Sequence, residues 1–77
     1  MNKERRKRLQ EVVDKLLDIQ SELEAVKDEE QECYDNMPEG LQASSRGEEM
    51  EENVSYLEDA IEETDGLIES INQILDR

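Results

Sequence analysis

The 77-residue sequence has no histidine, tryptophan or phenylalanine, only two tyrosines, and a single cysteine and a single proline. Each absence removes a class of chemistry. Without histidine there can be no Ser/His/Asp or Cys/His nucleophile set. The Glu-x-x-His pairs with which helical bundles hold two irons are missing too. Carboxylates are plentiful, but no Asp-x-Asp-x-Asp-Gly calcium loop and no glycine-rich phosphate loop occurs. One cysteine cannot close an internal disulfide. No apolar run approaches the length of a bilayer crossing, and no continuous apolar stretch of the signal-peptide kind follows the basic start. The expectation is a cytoplasmic, non-enzymatic protein without catalytic residues, metal ligands, cofactor or membrane contact.

Charge and aliphatic residues are what the sequence does contain. Charged side chains make up 42% of the chain, with 23 acids against 9 bases, for a net charge of −14. That is too polar for an ordinary globular core, yet it is the composition of long helices and coiled coils. Low hydrophobicity with high charge is also a signature of disorder. The spacing of the apolar residues decides between the two. Leu9, Val12, Leu16, Ile19, Leu23 and Val26, continued by Glu30, Cys33 and Met37, recur in alternating steps of three and four. Met50, Val54, Leu57, Ile61, Thr64, Ile68, Ile71 and Leu75 repeat the pattern. Disordered acidic chains have no reason to keep a heptad seam.

The only proline and two of the three glycines lie between the two seams. The pattern predicts an all-α fold, an antiparallel, coiled-coil-like two-helix hairpin. Helix 1 covers about residues 3–36, a loop covers 37–44, and helix 2 covers about 45–75. A hairpin buries only one seam, and small domains commonly close their stability gap by associating. A homo-oligomeric helical bundle, with a dimer first, is therefore expected. Val13 and Leu17 widen the apolar stripe of helix 1, and Leu67 and Ile74 that of helix 2. With Ile61, Ile68 and Ile71 they form the predicted subunit contact, at the open end of the hairpin.

Within the loop, Pro38 either stops helix 1 or opens a single turn capped by Asn36, and Gly40 permits a backbone turn. Met37 and Leu41 are expected to cover the end of the seam. Ser45-Arg46-Gly47-Glu48 reads as a capping box opening helix 2. Glu30 interrupts the seam, with solvent or Arg46 within its reach, and Cys33 reads as a small core residue. Gly66 and Tyr56 fall on outward positions. The first eight residues hold five bases and one acid. Basic residues oppose the macrodipole at a helix start, so they need a counter-charge. Either the acids of helix 2 or another subunit supply it, or Arg5, Arg6 and Arg8 contact an anion. A second candidate ligand site combines Tyr34, Asn36 and Gln42 with the helix start at Ser45 and Arg46.

One stretch is more specific. Tyr34-Asp35-Asn36-Met37-Pro38-Glu39, then Leu41-Gln42, a serine, Arg46-Gly47-Glu48 and Met50-Glu51 resembles a pattern of small acidic helical-hairpin proteins encoded in Firmicutes genomes and their prophages and plasmids. The resemblance spans about residues 30–61, including Leu57 to Ile61, and leaves out the basic start. It implies a bacterial or phage accessory protein. Three functions fit these features. The first is an oligomeric interaction module with a protein partner. The second is a phage-type inhibitor of a host nucleic-acid or defence enzyme, its carboxylates imitating a phosphate backbone. The third is a sponge for a small anionic ligand such as a nucleotide. Direct binding to DNA is not expected of so acidic a chain.

Overall fold

The computed structural model describes residues 1–77. Its first helix, α1, spans Lys3–Asp35. Neither glycine nor proline falls within it. Asn2 caps it, its Oδ1 accepting from the Arg5 amide at 2.8 Å, which satisfies one of the free amides of the first turn. The helix ends at Asn36, whose amide still donates to Glu32 O at 3.0 Å. Pro38 has no amide proton to continue the ladder. A single helical turn, α2, follows at Glu39–Gln42 with Pro38 at its cap position. The amides of Leu41 and Gln42 both donate to Pro38 O. Asn36 thus closes α1 and does not cap the turn. Gly40 lies inside α2, and no residue has a positive φ, so the chain reverses without a left-handed step.

The last helix, α3, spans Ser45–Leu75, and its cap is Ser44. The Ser44 hydroxyl accepts from the Gly47 amide at 3.4 Å. This corrects the expected capping box at Ser45. With Ser44 as cap, the third helical position is Gly47, which has no carboxylate to return. Packing fixes that register. Gly47 is buried, and a Cβ on it would lie 2.1 Å from Gln42 O. Only a glycine lets α3 start directly against α2.

α1 and α3 pack antiparallel along their length. Arg6 donates to the carbonyls of Ile74 and Leu75, Gln20 to Ile61 O and to Asp65, and Tyr34 to Glu51. The result is a rod of 58 × 15 × 13 Å. Val13, Val54 and Ile68 are its buried apolar residues. On α3 the inward residues are those of the predicted seam. On α1 only half of the seam is. Leu9, Leu16, Leu23 and Glu30 face α3, but their partners in the interface are Val13, Gln20, Lys27 and Tyr34. Val12, Ile19, Val26 and Cys33 are exposed. Leu41 is exposed as well, so Met37 alone helps to cover the end.

Candidate interaction surface

The rotation of α1 gives the hairpin two unlike sides. Residues seven apart form rows along a helix. Val26 and Cys33 line a shallow groove of about 480 Å³ together with Asn53, Tyr56 and Leu57. The row of Val26 on α1 and the row of Asn53 on α3 therefore lie on one side. Followed along the rod, these rows read Val12, Ile19, Val26 and Ala60, Leu67, Ile74. Val12 is 40% exposed, Ile19 52%, Val26 45%, Leu67 50% and Ile74 37%. The opposite side carries the polar cross-links, Gln20 to Asp65 at 2.6 Å and Tyr34 to Glu51.

The residues expected at a subunit contact do not form one patch. Val13 and Ile68 are buried in the hairpin itself, and Ile61 and Ile71 are half-buried there. Leu67 and Ile74 belong to the apolar side. Leu17, although exposed, falls on the far flank of α1, more than 100° round from the Val12 row at about 100° per residue. Cys33, expected in the core, opens onto the grooves at the closed end. Glu30 accepts from Asn53 Nδ2 at 2.9 Å and is not joined to Arg46.

The candidate ligand residues also separate. Arg6 caps the C-terminal carbonyls of α3, so a cation meets the negative end of a helix dipole. This supplies the missing counter-charge without Glu69 or Asp76. Arg5 and Arg8 border an end groove with Met1, Leu9 and Val12. Asn36 and Arg46 share a groove of about 490 Å³ with Met37, Leu41, Ser44 and Met50. Tyr34, Gln42 and Ser45 are not in it. Gln42 donates through Nε2 to Tyr34 O at 2.9 Å. The Tyr34 hydroxyl donates to Glu51, and that bond, with slight desolvation and nearby carboxylate charge, raises the phenol above its usual range. Most of the lining of both closed-end grooves is apolar.

The charge is distributed unevenly. Residues 19–64, the closed half, hold sixteen acids and two bases, whereas the remaining residues hold seven of each. Lys27–Asp28, at 3.8 Å, is the single ion pair, so the acids face water largely unmatched. The residues that sequence reasoning missed are Asn2, Gln20, Ser44 and Gly47. Asn2 and Ser44 carried a capping signal, Ser44 masked by the adjacent serine. No family model, curated protein or solved structure matches the chain. No helix is long and apolar enough to cross a membrane.

Proposed function

We propose that the chain is a non-enzymatic, oligomeric helical-hairpin interaction protein, a bacterial or phage accessory factor that binds a protein partner. The observation that supports this is the apolar side just described. Five aliphatic side chains in two parallel rows are roughly half in water, and monomeric soluble proteins seldom keep a continuous stripe of that kind uncovered. Completing the burial of such a half-exposed side chain is worth about 0.7–1.5 kcal/mol, which gives association a driving force along the whole rod. Analytical ultracentrifugation at micromolar concentration tests the oligomer. A dimeric or larger mass is the expected result, and a monomeric mass overturns it. Native mass spectrometry of the protein purified from its own cells tests the partner. A stoichiometric second polypeptide supports the reading, and a bound nucleotide in its place favours the ligand sponge.

Nucleic-acid mimicry keeps separate support, because the closed half carries exposed carboxylates on two rigid helices with few cations among them. Its signature is salt-sensitive competition with DNA for a basic enzyme groove. The anionic-ligand sponge gains no comparable support, since Tyr34 and Gln42 bond within the hairpin.

A further inference from the structure

We propose that the occupant of the apolar side is a second copy of the chain, laid antiparallel on the first. The twofold axis crosses α1 at Ile19 and α3 beside Thr64, and the two closed ends lie at opposite ends of a four-helix bundle. This rests on the oligomeric reading above and adds the face, the direction and the register.

Charge fixes the direction. Two hairpins packed face to face can point the same way or opposite ways. Pointing the same way, they set one closed half, with sixteen acids and two bases, against another of the same charge. The separation would be one helix diameter, about 10 Å, a distance at which salt screens incompletely. Pointing opposite ways, each acidic half meets the half in which acids and bases balance.

The rows themselves fix the register. On α1 the exposed row is Val12, Ile19, Val26, symmetric about Ile19. An antiparallel copy sets Val12 against Val26 and Ile19 against itself. The next row outward is Arg8, Lys15, Glu22, Glu29. Reversed on itself about the same level, it sets Arg8 against Glu29 and Lys15 against Glu22. None of these four has an ion-pair partner within its own hairpin. On α3 the exposed row is Asn53, Ala60, Leu67, Ile74, which reverses to set the small Ala60 against the large Leu67. Its midpoint falls between Ala60 and Leu67. The hydrogen bonds of Gln20 to Ile61 O and Asp65 place the Ile19 level of α1 beside that same point. The central residues of both rows are therefore self-complementary about one axis, while at the row ends Asn53 meets Ile74 and Cys33 meets Arg5. Glu63 meets its own counterpart at the solvent edge, one like-charge contact against the two pairs of opposite charge that Arg8 and Lys15 make in each direction. A side 58 Å long and 15 Å wide offers on the order of 800 Å² per copy, the size of a stable interface.

The test places a spin label on the closed end. Glu39→Cys in a Cys33→Ser background changes residues that are exposed in the single hairpin. Because Cys33 ends the Val12 row, the Cys33→Ser chain is first verified to keep the wild-type mass, and circular dichroism verifies that the helix content is retained. Dipolar spectroscopy of the labelled dimer is expected to give a separation near the 58 Å length of the rod. A separation of about 20 Å, two helix diameters, would mean that the copies point the same way and would overturn the arrangement while leaving the oligomeric reading in place. A monomeric mass would overturn both. Lys15→Glu should raise the dimer dissociation constant about tenfold, because two exposed ion pairs turn from attraction to repulsion. Adding Glu22→Lys should restore it. A Lys15→Glu dimer as tight as the wild type, or no recovery in the swapped variant, refutes the register.

Discussion

Gly47→Ala separates helix propensity from packing. In an exposed helix interior, replacing glycine by alanine stabilises by about 1 kcal/mol. At Gly47 the new Cβ would lie 2.1 Å from Gln42 O, 2.6 Å from Gln42 C and 2.7 Å from its Cα, against a closest normal approach of 3.0 Å. All three atoms are backbone, so no rotamer change relieves the overlap. The start of α3 or the whole of α2 must move by roughly 1 Å. Overpacking of this kind costs about 1–3 kcal/mol. Displacing α2 also strains the bond from Gln42 to Tyr34 O, worth about 1 kcal/mol. Together these exceed the propensity gain, and Gly47→Ala should destabilise by about 1–3 kcal/mol. Gly66 supplies the control, because a Cβ there would meet nothing within 4 Å, so Gly66→Ala should stabilise by about 1 kcal/mol. The assay is thermal unfolding followed by circular dichroism, with every variant at one concentration because association shifts the midpoint. At about 4–8 °C per kcal/mol for a domain of this size, the two midpoints should move in opposite directions by easily resolved amounts. A Gly47→Ala midpoint raised as far as that of Gly66→Ala would refute the close approach of α2 and α3.

Ser44→Ala should lower stability by about 1 kcal/mol, whereas Ser45→Ala should stay within about 0.5 kcal/mol of the wild type; urea unfolding of the two single variants distinguishes the caps. Arg6→Gln should cost about 0.3–1 kcal/mol by removing a cation from the C-terminus of α3, and hydrogen exchange should quicken in residues 72–75 more than elsewhere. Tyr34 should ionise above the ordinary tyrosine range in an absorbance titration, and Glu51→Gln should remove most of the upward displacement, leaving the smaller effects of desolvation and Asp35. The neutral phenol donates to the carboxylate and the phenolate cannot. Its contribution is therefore complete below the unfolded value of about 10 and is lost as pH rises through the higher folded value. An unfolding midpoint whose alkaline fall is the same in Tyr34→Phe as in the wild type would count against the bond.

Much of the fold could be read from spacing because a heptad seam leaves few alternatives. The α3 seam, from Met50 to Leu75, faces α1 throughout. The ends of the helices were legible where chemistry is local, as at Pro38, where the missing amide proton stops α1. The first residue of α3 was legible too, at Ser45, but its cap was not, because two serines stand side by side and sequence alone favours the one followed three residues later by Glu48. What decides is tertiary. The chain must cross Gln42 closely, and the glycine has to be at the crossing.

The rotation of α1 was hidden for a related reason. A seam drawn by apolarity alone takes Val12, Ile19 and Val26 and passes over Gln20, Lys27 and Tyr34. In a two-helix contact those three polar residues hold the inner flank, because each has an apolar stem or ring that lies against α3 and a polar end that reaches solvent or a partner. Gln20 finds Ile61 O and Asp65, and Tyr34 finds Glu51. The apolar arc of α1, from the Val12 row through the Leu9 row to Val13, is wider than one neighbouring helix can cover. One flank must then stay open. The polar pairs close the Gln20 side, so the Val12 side remains. In the proposed dimer that side becomes the centre of the bundle. The heptad seam of α1 then points where such seams usually point, between two neighbours, with α3 on one side and the second copy on the other. Leu17 lies outside this arc, on the polar side, and nothing in the structure explains its exposure.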